Sequence, residues 1–194
     1  MKKFVTVAGA IAVSCLAGAA QAQNWYVSGY GAMNYTHDGT ANGNDKMVYD
    51  LGYGIGGTAG YAMPNGLRLE GEIAYRSNGI DTINGVSVGA DMTSWAFMGN
   101  ALYDFNVQSS VRPHIGGGLG AVRGTVETGN FEFSDTVLAA QFIVGVDYNV
   151  APDLALTIDF RHLRTQDLGL GAGSGLGAVE YSNSSVAAGL RKRF

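Results

Sequence analysis

The chain has 194 residues, of which 46% are apolar and only 14% charged, with 30 Gly, 3 Pro and 1 Cys. One domain fits this length; the apolar share excludes a disordered chain, and the lack of a three-residue glycine period excludes collagen. A net charge of −4 argues against nucleic-acid binding, which needs a basic face.

Lys2 and Lys3 precede an uncharged apolar run from Phe4 to Ala20, followed by Ala20-Gln21-Ala22. A positive start, a short apolar stretch and an A-x-A site define a secretory signal peptide over residues 1–22, with cleavage specified by Ala20 and Ala22. An uncleaved anchor is the rival reading, because 17 residues reach the lower limit for spanning a bilayer; the Ala- and Gly-rich run and the cleavage site favour the signal. Cys15 lies inside this segment, and Ala12 stands where a lipoprotein signal needs a bulky aliphatic. Residues 23–194 therefore carry no cysteine, which excludes disulfides, thiolate catalysis and cysteine metal sites.

Along residues 23–194 no run approaches 18 apolar residues, so no later membrane helix is expected. Period-two alternation dominates instead. In the clearest stretch, Leu67, Leu69, Ile73 and Tyr75 fall on one face and Arg68, Glu70, Glu72 and Arg76 on the other; a strand separates these sets, whereas a helix mixes them. Eight such stretches are expected as strands: 25–36, 47–62, 67–76, 92–105, 112–123, 137–150, 154–165 and 181–194. The connections at 63–66, 106–111 and 151–153 are short, with turn signals in Pro64-Asn65-Gly66 and Pro152-Asp153. Those at 37–46, 77–91, 124–136 and 166–180 are long and polar or Gly-rich.

Strict alternation of short and long connections between strands of about ten residues is the pattern of an outer-membrane barrel with short periplasmic turns and longer external loops. A soluble barrel also alternates, but it points its bulky apolar face inward. Here the second face is charged or glycine, which suits the narrow lumen of eight strands, and the bulky aromatic face suits lipid. The expected fold is all-β: an eight-stranded, up-and-down, antiparallel transmembrane β-barrel with both termini on the short-turn side.

Several segments then resemble the superfamily of small outer-membrane β-barrels. They are Arg68 to Arg76, Asn100 to Phe105, Pro113 to Gly120, Gly145 to Tyr148, and Phe160-Arg161. The ending, with Leu190, Lys192 and Phe194 in alternation, is similar to the terminal signal read by the outer-membrane insertion machinery. Lys192 departs from the aromatic usual there, and a Lys at the membrane edge snorkels to the interface. The resemblance implies residence in a Gram-negative outer membrane. It also implies outer-membrane lipid and lipopolysaccharide, the barrel-insertion machinery and periplasmic chaperones as partners. No peptidoglycan-binding domain is expected after Phe194.

Parity directs Arg68, Glu70, Glu72, Arg76, Asp104, Asp159, Arg161 and Arg191 into the lumen, together with Asp50 and Arg193. Buried charges must be paired or hydrated, so a network of Arg–carboxylate pairs is expected. It serves either as a polar plug or as a gated ion path, and the plug is favoured. Gly52-x-Gly54-x-x-Gly57 matches a dinucleotide fingerprint only formally, because no helix pattern follows it. The same glycines relieve crowding, and Gly56-Gly57 is a candidate bulge.

Trp25, Tyr26, Tyr61, Tyr103, Phe105, Tyr148, Phe160 and Phe194 are expected in aromatic girdles. His37, His114 and His162 show neither metal-ligand spacing nor the His-x-Ser of a lipid-modifying barrel, so neither a metal nor a catalytic site is expected. No cofactor and no nucleic acid are expected. The loops carry Asp38, Asp45, Asp81, Asp91, Glu127, Glu132, Asp135, Asp167 and Glu180, which discourages direct contact with anionic lipopolysaccharide unless divalent cations bridge. The expected role is structural or surface-antigenic. The alternatives are a small porin-like channel for ions or small solutes, and an adhesin meeting host or surface ligands through its external loops.

Overall fold

The computed structural model describes residues 24–36, 39–41, 45–49, 51–83, 86–105, 109–128, 131–166, 168–169, 178–179 and 182–194. The expected signal segment with Ala20 and Ala22, and also His37 and Asp50, lie outside them.

Eight long strands form the wall: β1 (Trp25–Thr36), β2 (Gly52–Ala62), β3 (Leu67–Ile83), β4 (Val86–Asp104), β5 (Val111–Thr128), β6 (Phe131–Ala151), β7 (Leu154–Thr165) and β8 (Ser182–Arg193). Each pairs antiparallel with its neighbours in sequence, and β1 pairs with β8 from Tyr26↔Arg193 to Thr36↔Asn183, which closes the barrel. There are no helices among the described residues.

The register fixes the shape. Starting at Thr136 on β6, the paired residues run Arg123, Trp95, Tyr75, Ile55, Gly31, Ala188 and Ile158. The circuit then returns to β6 at Val146, ten residues beyond its start. For eight strands with ordinary spacings, that stagger tilts them by about 40° from the barrel axis.

Inside and outside follow the pleat. Leu51, Tyr53, Ile55, Leu69, Ile73, Trp95, Phe97, Tyr103, Leu119, Phe142, Val144, Leu156, Ile158, Val186 and Leu190 are all exposed outward. Arg68, Glu72, Arg76, Asn100, Asp104, Gln141, Asp147, Asp159, Arg161 and Arg191 are buried inward. A soluble protein inverts this distribution; a lipid-facing wall requires it. Tyr53 and Tyr61 on β2, like Trp95 and Tyr103 on β4, stand eight residues apart and bracket an apolar band about 20 Å tall along the axis. Ile73 lies near the middle of that band. Ile73→Arg is expected to destabilise the inserted barrel by about 2–4 kcal/mol, measured by urea unfolding in vesicles.

The structure corrects several expected boundaries. The segments 77–91 and 124–136, read as loops, are mostly strand: β3 and β4 pair out to Ile83↔Val86, and β5 and β6 out to Thr128↔Phe131. Beyond the bilayer the outer face no longer has to be apolar, so the alternation fades while the hydrogen-bond ladder continues. The expected strand 47–62 is divided, because Asp45–Tyr49 pairs with the upper end of β3 while β2 begins at Gly52. Gly56 and Gly57 make no bulge; β2 keeps register with both β1 and β3 there. The short turn after β2 holds as expected. Gly66 takes φ 90°, which glycine alone adopts without strain, and its N–H donates to the Met63 carbonyl at 3.1 Å.

Candidate functional site

The lumen is the only described region where many ionisable side chains are brought together, and each strand contributes by parity. In the half nearer the turns, the Arg68 guanidinium lies 3.1 Å from Asp104 and 3.5 Å from Asp147. It is also 3.9 Å from Glu70. Arg191 pairs with the same Asp147 oxygen. Tyr26 donates to Glu70 at 2.6 Å, and its ring lies beneath both guanidiniums, 5.7 Å from Arg68 and 5.3 Å from Arg191.

The second cluster centres on Glu72. Its Oε1 accepts from Arg161 Nη1 at 2.7 Å and from the Tyr30 hydroxyl. Its Oε2 accepts from Asn100 Nδ2 and Gln141 Nε2, both at 2.7 Å. Arg161 also grips Asp159 through Nη2 at 2.9 Å and stacks 4.3 Å from the Tyr30 ring centre. All four hydrogen-bonding directions of the Glu72 carboxylate are thus used, the condition under which a charge tolerates burial.

His114 joins the clusters. Its Nε2 lies 3.0 Å from Asp159 and its Nδ1 3.5 Å from Asp147. One chain of contacts therefore runs Asp104–Arg68–Asp147–His114–Asp159–Arg161–Glu72 across the lumen. The described lumen residues include four guanidiniums (Arg68, Arg76, Arg161 and Arg191) and five carboxylates (Glu70, Glu72, Asp104, Asp147 and Asp159). An imidazolium at His114 brings that set to neutrality.

Arg76 is buried farther up, opposite Ser94 on β4 and, with Asn34, against Gly54, and has no ion-pair partner among the described residues. Arg193 sits at the opposite rim, donating to Asn149 at 2.7 Å.

His114, Asp147, Asn100, Gln141, Tyr26 and Tyr30 were not among the expected network. The glycines at 116–118 blur the parity of β5, which hides His114. Tyr26, expected in an aromatic girdle, is buried in the lumen at 1% exposure. The lumen has room for it because the facing positions are glycine. A Cβ at Gly60 overlaps the Tyr26 ring end, and one at Gly56 overlaps that of Tyr30. Gly145 is equally constrained: a Cβ there stands 2.6 Å from the Ile158 carbonyl and 2.7 Å from His114 Nε2. Gly145→Val is expected to cost about 1–3 kcal/mol by overpacking, visible as a lower temperature for converting the folded gel band into the unfolded one.

Ligand atoms of Asp104, His114 and Asp147 lie within 4.8 Å of one another. Arg68 and Arg191 already occupy these carboxylates, so a divalent ion there would sit against two fixed positive charges. The arrangement is better suited to internal ion pairing than to metal. On the outer wall, His162 Nδ1 lies 3.0 Å from Ser184 Oγ. The neighbours in their row are Phe142 and Tyr35 rather than an acid. Gly52, Gly54 and Gly57 lie within β2, with no helix to hold a phosphate.

Of the terminal residues, Leu190 faces outward, and Lys192 reaches from the outer face to the turn carboxylate of Asp153. That hydrogen bond holds the Asp153 carboxyl below its ordinary range. Among the other aromatics, Trp25 and Tyr61 meet edge to face at 5.4 Å, and Tyr103 and Phe105 at 5.3 Å, at the turn-side rim. Tyr148 and Phe160 are also exposed outward.

No curated protein matches the chain by sequence. Among solved structures it is similar to Neisserial surface protein A, at 22% identity and a TM-score of 0.67, covering 88% of this chain and 97% of that one. It is also similar to OprG of Pseudomonas aeruginosa, at 15% identity and a TM-score of 0.55, with 89% and 96% covered. A third is Ail, the attachment invasion locus protein of Yersinia pestis, at 16% and 0.51, with 87% and 99% covered. These likenesses establish a shared fold. The family model for the outer membrane protein beta-barrel domain matches residues 5–194. With a closed eight-stranded wall that is apolar outside and ionised inside, the chain belongs to the outer membrane protein beta-barrel domain family.

Proposed function

We propose that this protein is a non-enzymatic, structural and surface-antigenic barrel of a Gram-negative envelope, with an interior plugged by its own charged side chains. In this reading it is exported by a cleaved signal peptide over residues 1–22. Periplasmic chaperones escort it, the barrel-insertion machinery inserts it, and it then lies among outer-membrane lipid and lipopolysaccharide. The observation that carries the reading is the unbroken chain of side-chain contacts from Asp104 through His114 to Glu72. Its members are no more than 8% exposed, in a barrel size whose interior side chains suffice to fill.

The test is genetic. Deleting the gene is expected to raise uptake of a hydrophobic fluorescent dye through the envelope, and a variant with its external loops trimmed is expected to restore the barrier. Failure of the trimmed variant, with its barrel still folded, would overturn the structural reading.

A second reading, surface recognition, is favoured by the two hairpins β3–β4 and β5–β6, which rise well past the external girdle. Ail has been solved with the heparin analogue sucrose octasulfate. If recognition is the task here, trimming those hairpins abolishes attachment to host cells while leaving the dye barrier intact.

A further inference from the structure

The turn-side mouth of the lumen carries more positive charge than its carboxylates match. Arg112 on β5 and Arg193 on β8 share the inward parity of His114 and Arg191. The register sets their height. From Arg112 the paired residues run Asp147, Thr157 and Gly189, and Arg193 lies four residues farther along β8. With strands tilted by about 40°, the rise over three strand steps nearly cancels the descent along β8. The two backbones therefore stand at the same height within about 3 Å, on walls on the order of 15 Å apart. Arg193 reaches over β7, and its Nη2 donates to Asn149 Oδ1 on β6 at 2.7 Å. The Asn149 N–H donates in turn to the Ser110 carbonyl at 2.9 Å, two residues before Arg112. Both arginines thus flank the turn end of β6.

The carboxylates at this end are already committed. Asp104 faces Arg68 at 3.1 Å, Asp147 receives Arg68 and Arg191, and Asp153 holds Lys192 on the outer face. Neither Arg112 nor Arg193 has an ion pair among the described residues, the terminal carboxylate of Phe194 included. The neighbouring stretches 1–23 and 106–108, outside the described residues, contain no Asp or Glu. Arg193 Nε is buried without a hydrogen-bond partner, and so are Nε and Nη1 of Arg191, which is 4% exposed. Buried donors of this kind call for a ligand or water.

We propose that the turn-side mouth is a binding site for a carboxylate-bearing peptide of the periplasm. Arg112 and Arg193 engage its carboxylates in forked pairs, and Asn149 offers its side-chain amide N–H to a peptide carbonyl. Orientation selects this occupant. The arginines belong to the lumen face rather than the lipid face, and a short-turn rim opens on the periplasm. Two charges on opposite walls with an amide beside them suit an extended chain with acidic side chains better than a lone phosphate. The plug above closes the mouth from within, so the ligand docks there and does not pass. The proposal goes beyond the structural reading and needs only the short turns to face the periplasm.

The experiment titrates a blocked tetrapeptide of alternating glycine and glutamate into the protein refolded in zwitterionic micelles, where both mouths are open, and follows the heat of binding. The counterpart peptide with glutamine for glutamate is expected to bind more weakly by roughly fivefold for each arginine engaged. The variant Arg112→Gln with Arg193→Gln is expected to lose the same factor for the glutamate peptide, while Arg123→Gln at the external rim leaves binding unchanged. Equal binding by the wild type and the double variant, both showing the folded gel band, would overturn the proposal. So would inorganic phosphate binding where the glutamate peptide does not. If the double variant does not fold, Asn149→Asp sets a carboxylate against Arg193 and should weaken the peptide alone. Dye uptake plays no part in this readout, so its failure and that of the structural reading are told apart.

Discussion

Asp147→Asn is expected to destabilise the barrel by about 3–5 kcal/mol, the range for removing one partner from a buried charge cluster. Asp147 is 1% exposed and receives Arg68, Arg191 and the His114 ring from three different strands. An amide keeps the shape but leaves the buried Arg191 without a carboxylate among the described residues, while Arg68 keeps Asp104 and Glu70. The unpaired Arg191 charge is then the dominant effect, since lost hydrogen bonding alone costs about 1–3 kcal/mol. Adding Arg191→Gln should recover a substantial part of the loss. Urea unfolding in vesicles checks both; a single variant within about 0.5 kcal/mol of the wild type would contradict the account.

The second large effect concerns the other cluster. Glu72→Gln is expected to cost about 3 kcal/mol or more, because Arg161 and Tyr30 both lose a charged acceptor and the new amide donor faces Asn100 and Gln141, which already donate to this position. Replacing both members of the pair, as Glu72→Leu with Arg161→Met, should be markedly milder than Glu72→Gln. No buried charge is left alone, although Asp159 then depends on His114 and Thr157. The comparison separates the cost of an orphaned charge from the net contribution of the pair. If the double variant is the less stable of the two, the network contributes stability beyond mutual neutralisation.

Much of this fold was legible because a lipid-facing wall leaves a strong mark on sequence. The alternation at Leu67 to Arg76 gave the orientation of β3, and the bounds of β1 and β7 match expectation. The pattern vanished where its cause vanished. Above the bilayer Ser77, Asn78, Asp81 and Thr82 carry no apolar face, yet the backbone ladder still extends β3 to Ile83. The lumen was legible where charge sits between bulky neighbours, as at Glu70 and Glu72. It was obscure where small residues flank the key group. His114, among the glycines of β5, looked like an ordinary strand start; that it bridges Asp147 and Asp159 depends on the register between β5, β6 and β7, which no local pattern encodes. Tyr26 misled for a related reason. An aromatic near a strand end suggests a girdle, but the glycine at position 60 opens space for its ring inside.

The measurement that bears most directly on a lumen closed by its own ion pairs is the single-channel current of the refolded, heat-modifiable protein in a planar bilayer. A plugged interior predicts silence or rare, small openings. It also predicts that Asp147→Asn, where it still folds, opens more often than the wild type. A steady, reproducible conductance from the wild-type protein would contradict the account, because the chain from Asp104 to Glu72 would then line an open path instead of blocking one.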